Sequence, residues 1–226
     1  MQQQEHGLGR LVAPDERDAA YPMRAAIERA EPPAEKPTEP FPGDYYWPLW
    51  PPLDQGAEPH CVGFAWRHWL SYAPILTAGG PDAATIYCEA QKLDEWPGES
   101  YSGTSVRAAA KYLQSLGHIA NYYWAQGIED VADFVRTRGP VVVGTDWYAS
   151  MSRPLPNGLV AVSGRAVGGH AYLVYGYSTS SRLFRCCNSW GMTWGQGGGF
   201  WVTWSDMAQL LARGGEACAA IEKALV

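Results

Sequence analysis

At 226 residues, with 46% apolar and 18% charged residues, the chain can bury a sizeable core and lies far from the composition that keeps chains disordered. A net charge of −6 and no basic run argue against nucleic acid as a partner, because phosphate contacts need clustered Lys and Arg. No stretch reaches membrane-spanning length, and the start MQQQEHGLGR lacks a signal-peptide pattern; with an odd number of cysteines, five, this leads us to expect a soluble cytoplasmic protein with no membrane partner.

Residues 1–50 read as an N-terminal Pro-rich arm rather than a domain. The helix-capable AAYPMRAAIERAE leads into PPAEKPTEPFPG, whose prolines favour extended geometry. The arm is expected to lie along the surface of the body and, up to about Gly43, to be dispensable for folding, though its reach would let it cover a cleft.

The remainder, 51–226, divides into a helical lobe, about 51–138, and a β lobe, about 139–226. CVGFAWRHWLSY puts Val62, Ala65, Trp66, Trp69 and Leu70 on one helical face, so a helix should begin at Cys61. Helices are also predicted in PDAATIYCEAQKL, with Pro81 near its start, in TSVRAAAKYLQSLG, running from a Thr or Ser cap to Gly117, and in EDVADFVRTRG, acidic at its start and basic at its end. Then the period changes: PVVVGT, HAYLVYGYS, LFRCCNSW and GFWVTW are short β-branched or aromatic runs broken by turn residues. The fold class is α+β, with a cleft where the two halves meet.

A cysteine is nucleophilic as thiolate, and a helix N-terminus lowers its pKa. Cys61 stands at such a position, and Gln55 precedes it by a Gly- and Pro-containing loop that can return the amide to the thiol. Gln55 and the Cys61 N–H could together bind an oxyanion. Among the five histidines, His170 follows Gly168 and Gly169 and opens an apolar strand, which suits a base projecting into a cleft. His6, His68 and His118 read more simply as surface or structural, and His60 as a turn residue beside the nucleophile without a second metal-ligand pair. Asn188 ends a strand before a Gly- and Trp-rich turn; its carbonyl can accept the N–H of His170 while Trp190 shields that bond from water.

DQGAEPHC, GGHAYLVYGY and NSWGMTWGQGGGF together resemble, in order and spacing, the signature blocks of the papain family of cysteine peptidases. The resemblance runs from about Leu53 to Phe200. It implies a papain-like two-lobed fold and a thiol peptidase in which Gln55, Cys61, His170 and Asn188 are oxyanion donor, nucleophile, base and orienting amide. It also implies substrate contacts at Gly103, Gly144, Ala171 and Trp190. Gly103 matches the glycine whose backbone pairs with substrate, and Gly144 and Ala171 line a roomy pocket for the second residue before the scissile bond unless Trp147 fills it. Val62, His60 and Glu58 depart from the family pattern, and Glu58 removes a usual disulfide. Peptide or protein is the implied substrate, with no cofactor and no metal. The same residues would serve acyl transfer or isopeptide cleavage on a protein partner, or could persist in a catalytically silent binding module.

Overall fold

The computed structural model describes residues 6–29, 37–39, 43–48, 51–72, 74–75 and 79–223. In the arm these include a short helix, α1 (Met23–Arg29), and an edge strand, β1 (Asp44–Tyr46); most of PPAEKPTEPFPG lies outside the described residues. Next come α2 (Cys61–Leu70), α3 (Ala83–Gln91) and α4 (Val106–Ser115). Asp82 caps α3 and Ser105 caps α4, each side chain accepting a backbone N–H of the first turn. Gly117 ends the α4 segment at φ +80°, a conformation that costs a glycine little. His60, at the N-cap of α2, offers no side-chain hydrogen bond, so the first-turn N–H groups beside Cys61 carry no side-chain cap.

Strand β2 (Ile119–Trp124) and helix α5 (Ile128–Thr137) follow, then β3 (Val141–Tyr148), β4 (Ala166–Ser178), β5 (Leu183–Cys187), β6 (Gly199–Thr203), α6 (Trp204–Ala212) and β7 (Glu216–Glu222). The seven strands form one sheet in the order β2-β7-β3-β4-β5-β6, with β1 also on β4, and every pair is antiparallel. The α+β class holds. The sheet also draws in β2 from the helix-rich first half and β1 from the arm.

Both faces of the sheet are buried, by the period-two alternation of its strands. Ala171, Leu173 and Tyr175 of β4 face α2, α3 and α4, in a core built on Trp66, Trp69 and Leu113. Tyr172 and Val174 face the opposite core and, past the register shift between Val174 and Gly176, so does Tyr177, with Val131 and Phe134 of α5 and Met207 and Leu210 of α6.

The arm is not laid wholly on the surface. Met23, Ala26 and Trp47 are buried members of the second core, Arg24 pairs with Asp130 and Asp133 of α5, and the Trp47 indole donates to the carbonyl of Val135 at 2.6 Å. Burying a side chain such as Met23 is worth about 2 kcal/mol. The stretch up to Gly43, expected to be dispensable for folding, thus contributes Met23, Ala26 and the Arg24 ion pairs to the packing of the body. Among the described residues, no helix is long and apolar enough to cross a membrane.

Candidate active site

The free thiol of Cys61 heads α2, and its sulfur lies where the backbone N–H groups of Val62, Ala171 and Gly9 reach it. Ala171, whose N–H reaches the sulfur, adjoins His170 on β4, so the strand that flanks the thiol also carries the imidazole. The ring is walled by Trp147, edge-on at 4.8 Å, and by Trp190, tilted at 4.8 Å. Trp147 thus belongs to the aromatic wall around His170, with its indole bonded to Ser152, and does not fill the pocket at Gly144.

His170 Nε2 lies 2.7 Å from Asn188 Oδ1, which also accepts the Ser189 N–H at 2.8 Å. Two donors on one atom identify it as the amide oxygen, and an amide oxygen only accepts; Nε2 therefore carries the proton. Nδ1 is then the basic nitrogen of the neutral ring, and it has no hydrogen-bond partner.

Gln55 is fixed by a residue that sequence reading did not single out. Ser189 Oγ donates to Gln55 Oε1 at 2.5 Å, and the Ser189 carbonyl accepts the Gln55 backbone N–H at 2.8 Å. This directs Nε2 toward the cleft, where it donates to the carbonyl oxygens of Glu58 at 2.5 Å and Gly7 at 3.1 Å.

Gly7 belongs to the arm, and residues 6–11 run through the cleft. The His6 ring stacks on Trp190 at 4.5 Å and 8°, the structural rather than the surface alternative of its expected roles. Gly7 N–H donates to Gly56 O at 3.0 Å, Gly9 and Arg10 N–H groups to Gly169 O at 3.1 and 3.0 Å, and Leu11 N–H to Thr104 O at 2.9 Å. Thr104 N–H donates back to Gly9 O at 2.9 Å. Gly7 and Gly9 pass so close to the carbonyls of Glu58 and Pro59 that a Cβ on either would collide with backbone.

Backbone pairing with the occupant of the cleft falls on Thr104 rather than Gly103. The Gly103 N–H is taken by the Tyr87 hydroxyl and its carbonyl by Gln91; its φ of +105° suits glycine, and a Cβ there would meet Gly9 O at 2.5 Å. Gly144 and Ala171 face each other across β3 and β4. The space above Gly144 is filled by Arg10, whose Nε lies 2.9 Å from where a Cβ would stand.

Beneath the arm, Cys61 and His170 are both 0% exposed. Burial pushes the Cys61 thiol up to about 11, against the smaller downward pull of the N–H groups at sulfur. Burial likewise pushes His170 down to about 4, against the upward pull of Asn188. Both shifts have the same origin: the arm-filled cleft has removed the water that would solvate the charged forms.

His68 is buried on α2 and accepts the Leu53 N–H at 3.1 Å, a structural role, while the His60 ring packs on Tyr87 at 4.1 Å. Among the described residues no cluster of three or more His, Cys, Asp or Glu side chains could hold a metal ion.

A family profile described as papain family cysteine protease matches residues 77–216. The chain belongs to that family. This cysteine protease is a hydrolase, and its substrates are peptides or proteins. The matched span includes His170 and Asn188 and begins beyond Gln55 and Cys61, which the fold brings beside them. No curated protein matches the sequence. Among solved structures, xylellain, a cysteine protease from Xylella fastidiosa, superposes with a TM-score of 0.70 at 20% identity, covering 100% of this chain and 99% of that one. Procathepsin B S9 from Trypanosoma congolense gives 0.61 at 16% identity over 98% and 87% of the two chains, and bromelain from Ananas comosus 0.57 at 15% over 80% and 99%. At these identities the likeness is one of fold, and that fold is papain-like.

Proposed function

We propose that this protease cleaves peptide bonds with Cys61 as nucleophile and His170 as general base, and that the structure is its latent form, closed by residues 6–11. One observation carries the reading: a peptide carbonyl, that of Gly7, already sits on Gln55 Nε2 in a cleft where Gly9 touches the thiol.

Once the arm leaves, water reaches the pair and His170 Nδ1 takes the Cys61 proton. Sulfur bonds to the carbonyl carbon, and the oxygen gains charge facing Gln55 Nε2 and the Cys61 N–H. Collapse breaks the C–N bond, and the amine leaves with the proton from His170. Water then attacks the thioester, gives its proton to His170 and releases the acid and the Cys61 thiol. Asn188 holds the tautomer that leaves Nδ1 free, and Trp147 and Trp190 keep water from the Asn188 hydrogen bond.

Peptide turnover by the full chain and by Arg10→Ala, with and without Cys61→Ala, tests both parts. Arg10→Ala should turn over faster than the parent. Cys61→Ala should lower turnover by about 10³-fold or more, and acid-quenched reactions should carry the acyl mass on Cys61 alone. Undiminished turnover in Cys61→Ala overturns the assignment.

A further inference from the structure

Arg10 enters the body of the protein beside Cys61 and ends on a carboxylate. Its side chain is 1% exposed, Nε donates to Glu216 Oε1 at 2.9 Å, and Nη2 donates to Gly214 O at 2.8 Å. Glu216 opens β7 directly across from Gly144 of β3, and its side chain is 16% exposed. Gly144 supplies no side chain, and Val106 closes the neighbouring wall, its Cγ2 3.0 Å from where a Gly144 Cβ would stand. The result is a narrow slot with small walls, ending in two acceptors, a carboxylate and a peptide carbonyl.

That ending fits a cation with a fork of N–H donors. A guanidinium meets both acceptors at once, whereas an ammonium is a point donor and an aliphatic side chain would leave the carboxylate buried without a partner. The backbone carrying Arg10 is extended, bonded to Gly169 and Thr104, with Gly9 N–H at the Cys61 sulfur. The arm runs from Gln55 at Gly7 to the slot at Arg10, opposite in direction to a substrate, whose second residue precedes the attacked carbonyl; a substrate lying in the same groove in that reversed sense would still present a side chain to the slot.

We infer that the slot ending at Glu216 is a substrate side-chain pocket selective for a basic residue, arginine above all, and that Arg10 is its intramolecular occupant. The inference rests on the catalytic reading above and on Gly144 and Ala171 as the walls for the second residue before the scissile bond. Glu216 is then a specificity-determining residue, and a substrate must replace the ion pair that holds the arm closed.

Peptidyl chloromethyl ketones test this, since the Cys61 thiolate displaces chloride to form a thioether and the thiol proton passes to His170. Reagents alike except for Arg, Leu or Glu at the second residue before the ketone are compared on full-length Arg10→Ala, with the modified cysteine located by peptide mass. The Arg reagent should label Cys61 at least roughly tenfold faster than the Leu reagent, with Glu slowest. Adding Glu216→Gln should bring the Arg-to-Leu ratio near one. Leu labelling as fast as Arg while Glu216 is present overturns the inference, as does a ratio that survives Glu216→Gln. If the Glu216 variant does not fold, the three reagents on the Arg10→Ala chain decide alone. Labelling that avoids Cys61 with every reagent overturns the catalytic reading beneath it, and is told apart by the site of the added mass.

Discussion

Ser189 Oγ donates to Gln55 Oε1 at 2.5 Å, and the Ser189 backbone N–H donates to Asn188 Oδ1 at 2.8 Å. One residue thus sets both the amide proposed to face the oxyanion and the amide proposed to orient the base. The two bonds are separable, because the first uses the side chain and the second the backbone.

Ser189→Ala removes only the bond to Gln55. We expect kcat to fall by about tenfold, less than the roughly 10²- to 10³-fold loss in Gln55→Ala, which removes the donor itself. Cys61 alkylation forms no oxyanion, so its rate should stay close to the parent's in both variants. Steady-state peptide kinetics beside iodoacetamide labelling separate the effects; equal loss of both in Ser189→Ala would show that the base had moved as well.

Arm deletions should divide at the buried residues. Removing residues 1–12 takes away the chain in the cleft and leaves α1 in place, so peptide turnover should rise by about tenfold or more as the competent fraction grows. Removing residues up to Gly43 also strips Met23 and Ala26 from the core and Arg24 from Asp130 and Asp133. Met23→Ala alone should cost about 2–5 kcal/mol. Urea unfolding should show the short deletion close to parent stability and the long one markedly weaker.

Much of this was legible in the sequence where chemistry is local. Cys61 begins α2 because an apolar stripe starts there, and Ser105 and Gly117 bracket α4 as cap and stop. Long-range pairing was the illegible part. IANYYW and EACAAIE become β2 and β7 by pairing with each other across nearly half the chain, and Glu216 reaches Gly144 only through the pairing of β7 with β3. GLGRL has no periodicity from which a path could be read. Its course depends on glycines that fit under the carbonyls of Glu58 and Pro59, and on a charge whose partner stands at the other end of the sequence. Ser189 escaped notice because a serine in a turn looks like any other until both of its partners are in place.

Stability of the closed form should depend on pH in two windows. His170 is held down to about 4 and His68 to about 3, so the unfolded chain binds more protons as pH falls below the ordinary histidine value of 6.5. Their contribution is present above 6.5 and is lost as pH drops toward 4. Cys61 is pushed up to about 11, so the unfolded chain sheds its thiol proton first, and stability present below 9 is lost as pH rises toward 11. Urea midpoints measured from pH 4.5 to 10.5 should peak between about 6.5 and 9. A midpoint still rising between pH 6.5 and 5 would contradict the buried neutral imidazole.

Gly144→Ala tests the seat of Arg10 without touching the arm. The added methyl would stand 2.9 Å from Arg10 Nε and 3.0 Å from Val106 Cγ2, closer than a Cβ sits to its neighbours. The β3 backbone at Gly144 is paired on both sides, to Ala171 and to Glu216, so the movable element is the end of the arginine side chain. Displacing it loosens the bonds to Glu216 and Gly214, and hydrogen bonds to a charged group are worth about 1.5–3 kcal/mol each. The arm should therefore open about 10- to 100-fold more often, read as faster iodoacetamide labelling of Cys61 relative to the exposed thiol of Cys88. Unchanged Cys61 labelling in a variant that keeps the parent's urea midpoint would mean that Arg10 does not hold the cleft closed.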